Sequence, residues 1–244
     1  MAGQVRGLAW QAAVQLRAGL NRAGLDVSRD HFRSRFVAFL HDRGIDTVLD
    51  VGANTGQFGQ ALRRAKFRGQ ILSVEPLSAA YAQLVERASE DADWDTERAA
   101  ISDRPGMITM NVSGNSVSSS VLPMLDRHAD AAPASRYVST EQVPATTVDE
   151  LMRRHQLRAE TTLLKIDVQG YEKAVLDGAG ATLPRIAGVK TELSLVPLYD
   201  GQALLTDMID YLARSGLELW MIEPGFADPK THRLLQLDGL FFPA

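Results

Sequence analysis

The sequence predicts an α/β fold built on a mostly parallel β-sheet with helices on both faces. Two observations support this prediction. Short apolar runs alternate with segments of helical period from residue 46 to residue 176, and such alternation is typical of parallel strands connected by helices. The 244 residues include 45% hydrophobic and 23% charged residues. This is ordinary globular composition, and the length suits one well-cored domain with a short extension.

Two amphipathic helices are predicted ahead of the first strand. Apolar residues recur at helical spacing from Leu8 to Leu20 and again from His31 to Leu40, with Arg and Gln between them. We interpret residues 1–44 as an N-terminal helical cap and residues 45–244 as the main domain.

The main domain is predicted to contain strands and helices in alternation, with more strands at its end. The apolar runs predict strands at 46–51, 70–75, near 97–101, 106–112, 162–166, 188–193, 217–222 and 235–242. The helical patterns fall at 56–66, 78–90, 148–155, 171–176 and 202–214. Because the last two strands follow each other without a full helix between them, we expect an antiparallel edge on the sheet.

The segment 113–145 is rich in Ser, Ala, Pro and Asn and has weak periodicity. It is longer than a passive connector should be. We therefore interpret it as a loop that serves as a binding surface, with 113–132 as a mobile lid over a bound ligand.

The most informative segment runs from Val48 to Gly56, where a buried strand leads into a small-residue loop and then a helix. Gly52 and Gly56 allow positive φ and close approach of a ligand, and the amides that open the helix can receive an anion. Nineteen residues after Gly56, Glu75 ends the next apolar run, where an acid can accept both hydroxyl hydrogens of a ribose. The glycine spacing is not that of a pyrophosphate site. The segment therefore predicts S-adenosylmethionine, which has a ribose and a carboxylate but no phosphate.

Composition limits the partners and the compartment. A net charge of −4 lacks the basic footprint of a duplex-binding protein, so nucleic acid is not expected as a partner. No cysteine is present, so a disulfide framework, a thiolate zinc site and a thiol nucleophile are excluded. The sequence contains no apolar run of about 18 residues, so no transmembrane segment is predicted. We expect a cytoplasmic protein, whose oligomeric state the sequence leaves open.

Six motifs follow one another between residues 48 and 242: Asp50-Val51-Gly52-Ala53-Asn54-Thr55-Gly56, Glu75-Pro76, Ala100-Ile101-Ser102-Asp103, Asn115-Ser116 with Ser118-Ser119-Ser120, Lys165-Ile166-Asp167-Val168-Gln169-Gly170-Tyr171-Glu172, and Gln236 with Asp238. Together they resemble the FkbM-type S-adenosylmethionine-dependent methyltransferases. The resemblance implies a Rossmann-like class I methyltransferase fold with a seven-stranded sheet. It also implies methyl transfer to a hydroxyl oxygen, commonly on a sugar or a polyketide-derived metabolite.

The candidate cofactor-binding residues follow the first strands and the strand at 162–166. Asp50 is a candidate for the cofactor's ammonium group, although it could merely end a strand. Ser102 and Asp103 end the third strand, where methyltransferases of this fold hold adenine; the alternative is a turn. The full set of candidates is Asp50, Gly52, Asn54, Gly56, Glu75, Ser102, Asp103 and Asp167.

The candidate catalytic residues are Asp167, Glu192 and His128. Asp167 leaves a buried strand at its carboxyl end, the edge where open α/β sheets bind ligands. A hydroxyl needs a base to take its proton, and Asp167 is the first candidate. Glu192 could orient sugar hydroxyls, pair with Asp167 around a cation, or meet a neighbouring Lys or Arg. Two carboxylates without a third ligand make a weak site for a hard cation, so a divalent metal is the less favoured alternative.

The candidate acceptor-binding residues are polar side chains of the lid segment and of one helix start. Clustered hydroxyls and amides suit a polyhydroxylated acceptor, so a saccharide is expected as the small-molecule partner. Glu172 could equally be a favourable partner of its helix dipole. The candidates are Asn115, Ser116, Ser118, Ser119 and Glu172. Two other functions stay open at this point: a nicotinamide-dependent oxidoreductase, and a non-catalytic scaffold that kept the cofactor pocket.

Overall fold

The computed structural model describes residues 31–244, with side chains from residue 36 onward. The helix predicted at Leu8–Leu20 lies outside this part of the chain. The helices are α1 His31–Asp42, α2 Gln57–Arg64, α3 Ser78–Ala88, α4 Asp126–Ala131, α5 Val148–Arg154, α6 Glu172–Asp177 and α7 Leu205–Arg214. The strands are β1 Thr47–Val51, β2 Gln70–Val74, β3 Trp94–Glu97, β4 Ala100–Ile101, β5 Gly106–Ser113, β6 Tyr137–Thr146, β7 Thr162–Ile166, β8 Gly188–Ser194, β9 Leu217–Pro224 and β10 Gln236–Pro243.

Seven strands form the main sheet in the order β3-β2-β1-β7-β8-β10-β9. The five strands from β3 to β8 pair in parallel, whereas β10 pairs antiparallel to both β8 and β9. The predicted parallel sheet with an antiparallel edge is confirmed. The chain order reverses between β1 and β7, and ligands of open α/β sheets bind at such a switch point.

The central strands are apolar on both faces because helices cover both. One face of the sheet packs against α5, α6 and α7 through residues such as Leu49, Leu164 and Leu176. The other face packs against α1, α2 and α3 through residues such as Val48, Leu163 and Phe36. Strands buried on both faces read as continuous apolar runs, which is why the sequence predicted β1 and β7 closely. Helix α1 shares this core with the main sheet. The predicted division between a cap at 1–44 and a main domain at 45–244 stays a prediction.

A second sheet corrects two sequence predictions. The strand predicted near 97–101 is two strands: β3 belongs to the main sheet, whereas β4 pairs with β6 in a three-stranded sheet of order β4-β6-β5. The segment 113–145 is not an irregular loop throughout, because β6 occupies its last third and pairs antiparallel with β5 over most of its length. Half of the side chains of β6 are exposed, so the strand depends on its non-local hydrogen-bonded partner and leaves little apolar pattern in the sequence.

One tight contact fixes α2 against the sheet. A Cβ added to Gly59 would lie 2.3 Å from Trp94 Cζ2, and Trp94 is buried with its indole N–H donating to Ser73 Oγ at 3.0 Å. We expect Gly59→Ala to destabilise the fold by about 1–3 kcal/mol, the usual cost of overpacking, less about 1 kcal/mol gained in helix propensity. Urea unfolding would measure the change in the free energy of unfolding.

Gly180→Ala is the matched control, because no atom lies within 4 Å of its added Cβ. Equal stability of the two variants would contradict the packing argument for Gly59.

Candidate active site

A cavity of about 400 Å³ opens at the carboxyl ends of β1, β2 and β7. The loops after these strands line one part of it, and helices α1 and α2 line another. Its position at the topological switch point follows from the strand order. Of the candidate residues, the cavity brings together Gly52, Asn54, Glu75, Ser116, Ser119 and Asp167.

The first loop requires glycine at residues 52 and 56 for different structural reasons. Gly52 has φ 76° and lines the cavity, and an added Cβ would lie 1.9 Å from the carbonyl oxygen of Asp167. The loops after β1 and β7 therefore touch only because residue 52 has no side chain. Gly56 has φ 84°, is absent from the cavity lining, and packs closely on Leu84 and Trp94. Its geometry indicates that residue 56 is a glycine for packing between helix and sheet.

Glu75 is the buried acid of the cavity. The backbone N–H of Asn54 donates to its Oε2 at 2.9 Å, and the N–H of Leu77 donates to its Oε1 at 2.9 Å. Burial raises the pKa of Glu75 to about 7, against the lowering effect of these two hydrogen bonds. Each carboxylate oxygen keeps a further lone pair. The carboxylate can therefore accept ribose hydroxyls while it holds the loop after β1 in place.

Asp50 lies beneath the cavity rather than in its lining. It is fully buried, and its Oδ1 lies 2.9 Å from Lys165 Nζ. Lys165 also donates to the carbonyl oxygen of Gly52 at 3.3 Å and lies 3.6 Å from Asp167 Oδ2. Burial opposes the charge of Lys165, but the attraction of Asp50 and Asp167 outweighs it and raises the pKa of the ammonium group. Asp50 therefore holds Lys165 in place, and Lys165 in turn contacts the loop after β1 and Asp167.

Lys165 belongs to one of the six sequence motifs but is not among the candidate residues. The available signal was a charged residue inside the buried run Leu163–Ile166, because a lysine is almost never buried without a partner.

Asp167 projects into the cavity, with 44% of its side chain exposed. The side-chain amide of Gln169 donates to Asp167 Oδ1 at 3.0 Å and to Glu192 Oε2 at 3.1 Å. Glu192 also accepts from Gln236 at 2.7 Å. Burial and the nearby Asp167 raise the pKa of Glu192. Gln169 thus links the two candidate acids, although Glu192 is not in the lining of the cavity.

The polar segment after β5 is tied down by its own side chains. Asn115 Nδ2 donates to Ser118 Oγ at 3.1 Å, and Ser119 Oγ donates to the carbonyl oxygen of Ser116 at 2.9 Å. Ser116 and Ser119 line the cavity, whereas Asn115 and Ser118 support the loop behind them. The predicted mobility of 113–132 stays a prediction.

The remaining cofactor and acceptor candidates lie at the margin of the cavity. Ser102 Oγ donates to Asp103 Oδ1 at 2.9 Å and lies 3.0 Å from the hydroxyl of Tyr171, which does line the cavity. Glu172 is buried, and its Oε1 accepts from the backbone N–H groups of Val168 at 3.2 Å and Gly170 at 3.1 Å. Glu172 therefore shapes the turn after β7, and burial raises its pKa to about 7.

His128 lies away from the cavity. Its ring packs edge-on against Tyr199 with centroids 5.1 Å apart, and against Phe226 at 5.4 Å. Burial lowers the pKa of His128 to about 4, so the imidazole is neutral at pH 7. Helix α4 buries His128 in the protein interior. The sequence assigned this segment to a loop and therefore did not predict the burial.

The residues present fit S-adenosylmethionine. Gly52 contributes backbone without a side chain to the lining, Glu75 offers free lone pairs for ribose hydroxyls, and Leu77 and Ile101 give the cavity an apolar wall suited to a purine. Within residues 31–244, no group of three or more His, Asp or Glu side chains is arranged to hold a metal ion. No helix in the same range is long and apolar enough to cross a membrane.

Comparison with known proteins agrees with this geometry. The family described as Methyltransferase FkbM domain matches residues 50–219. The 2-O-methyltransferase NoeI of Sinorhizobium fredii (strain NBRC 101917 / NGR234) is 26% identical over 184 residues, which are 73% of this chain and 75% of NoeI.

Two solved structures are also similar. Methyltransferase FkbM from Methylobacillus flagellatus KT aligns with a TM-score of 0.49 and 13% identity over 80% of this chain; the chain spans only 44% of that protein. Magnesium protoporphyrin IX methyltransferase from Synechocystis PCC 6803, solved with bound S-adenosylmethionine, aligns with a TM-score of 0.47 and 10% identity over 87% of this chain and 78% of that one.

The family match favours methyl transfer over the nicotinamide-dependent alternative, since it covers more than half of the chain and includes the loop after β1, Glu75 and Asp167. The chain belongs to the FkbM family of S-adenosylmethionine-dependent methyltransferases.

Proposed function

We propose that this protein transfers a methyl group to a hydroxyl oxygen of a small saccharide or saccharide-bearing molecule. One observation carries the proposal: the carboxylate of Asp167 faces the same cavity as Gly52 and Glu75, which fit the cofactor. An accessible carboxylate beside a methyl donor suits an acceptor that must lose a proton, as a hydroxyl does.

The chain's own residues would divide the work. S-adenosylmethionine, when bound, supplies an electrophilic methyl group and leaves as S-adenosylhomocysteine. Asp167 accepts the proton of the acceptor hydroxyl. Lys165 and Gln169 hold the Asp167 carboxylate by an ion pair at 3.6 Å and a hydrogen bond at 3.0 Å. Alignment of two partners in one cavity and exclusion of water then lower the barrier.

Two findings support a saccharide as the acceptor. The similar protein NoeI is named a 2-O-methyltransferase, which favours oxygen as the methylated atom. The cavity also combines an apolar wall with several hydrogen-bonding side chains, including Ser116, Ser119 and Gln169, and a molecule with many hydroxyl groups can use them. A non-catalytic scaffold remains the alternative function, and the cytoplasmic location stays a prediction.

The test is a methyl-transfer assay with radiolabelled S-adenosylmethionine. The acceptors are methyl glycosides of hexoses and 6-deoxyhexoses, with catechol and benzoate as a phenol and a carboxylate for contrast. We expect label in at least one glycoside and an equal amount of S-adenosylhomocysteine. Label in catechol or benzoate alone would contradict the saccharide assignment. Tight S-adenosylhomocysteine binding with no turnover on any acceptor would favour the scaffold.

A further inference from the structure

A second buried lysine lies in the cavity, outside the residues that fit the cofactor. Lys190 on β8 is 6% exposed and lines the cavity. Its ammonium group pairs with Asp238 on β10 and, at 3.4 Å, with Glu223 on β9. These two acids face each other in the antiparallel register of β9 and β10. The edge of the sheet therefore supplies two carboxylates as partners of a buried lysine, since an unpaired charge there would be costly.

The two cavity lysines differ in their free hydrogen-bonding capacity. Lys165 and Lys190 are neighbours in the parallel register of β7 and β8. Lys165 has three acceptors in reach: Asp50, Asp167 and the carbonyl oxygen of Gly52. Lys190 has two acceptors among residues 36–244, whereas an ammonium group carries three N–H donors. One donor of Lys190 is thus left for a molecule in the cavity.

Apolar side chains line the cavity together with Lys190. Phe36 and Val37 of α1 and Phe58 of α2 line the same cavity, and the Phe36 and Phe58 rings are 6.4 Å apart. The cavity therefore combines an apolar wall with buried charged groups, a combination that orients small molecules.

Lys190 and Asp167 line the same cavity. Asp167 follows Lys165 by two residues, and Lys165 is the register neighbour of Lys190 on the adjacent strand. A hydroxyl group bound in the cavity can therefore lie near both side chains.

We propose that Lys190 is a catalytic residue that donates its third N–H to the acceptor's reacting hydroxyl oxygen. The inference rests on the proposed function. As the hydroxyl proton moves to Asp167, negative charge grows on the oxygen, and a fixed ammonium group stabilises that charge. Asp238 and Glu223 position Lys190 by their ion pairs, so its remaining N–H faces the cavity as a donor.

The test uses Lys190→Met, which keeps the length of the apolar stem and removes the charge. With the best glycoside of the wild-type assay, we expect kcat/KM to fall by about 10²–10³-fold, the usual effect of losing one such donor. S-adenosylhomocysteine affinity, measured by calorimetry, should change by less than about threefold. Lys173→Met is the matched control: Lys173 pairs with Asp177 on the surface, and this variant should retain wild-type kinetics.

A second variant keeps the test valid if Lys190→Met does not fold. The Lys190→Gln/Asp238→Asn double variant replaces the ion pair with a neutral hydrogen-bonded pair and should lose activity to a similar degree. A folded variant with kcat/KM within threefold of wild type would overturn the role of Lys190 and leave the proposed function intact. A tenfold loss of S-adenosylhomocysteine affinity would reassign Lys190 to the cofactor. Failure of the wild-type protein on every glycoside would instead contradict the proposed function.

Discussion

Asp167→Asn is expected to reduce turnover by about 10²–10⁴-fold, the usual contribution of a general base. The amide has nearly the same shape as the carboxylate but cannot take the hydroxyl proton. Lys165 keeps its contacts with Asp50 at 2.9 Å and with the Gly52 carbonyl oxygen at 3.3 Å. The loop after β1 should therefore stay in place, and cofactor affinity should change far less than turnover.

Single-turnover kinetics and calorimetry with S-adenosylhomocysteine would separate these two effects. Asp177→Asn is the matched control, because Asp177 is a surface partner of Lys173. Turnover at the parent rate by a folded Asp167→Asn protein would exclude Asp167 as the base. A metal-dependent mechanism would instead make activity sensitive to a chelator, with Glu192→Gln as damaging as the Asp167 change.

Glu75→Ala is expected to weaken cofactor binding by about 1.5–3 kcal/mol, the range for a hydrogen bond to a charged group. The change removes the acceptor of ribose hydroxyls and also frees the N–H groups of Asn54 and Leu77, which Glu75 holds at 2.9 Å. Calorimetry with S-adenosylhomocysteine measures the loss. Unchanged affinity in a folded variant would remove Glu75 from the site.

The raised pKa of Glu75 gives this binding a pH dependence. Burial raises its pKa to about 7 from 4.5, so the free folded protein holds this proton more tightly than the unfolded chain. The contribution of Glu75 to stability is therefore fully present below about pH 4.5 and is lost as pH rises through about 7. The ionised carboxylate is the better ribose acceptor, so cofactor affinity should rise as pH rises through about 7. Glu75→Gln should flatten both profiles, and a slope retained in that variant would assign it to another group.

The sequence by itself determined the alternation of strands and helices and the residues that end the central strands. Buried parallel strands leave continuous apolar runs, and glycines and acids after them mark the ligand-binding edge. Those local signals sufficed for Gly52, Glu75 and Asp167, which the structure brings into one cavity. The same signals did not distinguish Gly56 from the cavity residues. Its missing side chain makes room for Leu84.

Only the tertiary structure decided which distant side chains meet. The pairing of β5 with β6 turned the last third of a presumed loop into sheet, because a strand with one exposed face depends on hydrogen bonds to a partner far along the chain. The register of β1, β7 and β8 aligned Asp50, Lys165 and Lys190 in one row. A lysine's role depends on the acids opposite it across the sheet, and strand register, which sets those neighbours, is a property of pairing that no local pattern records.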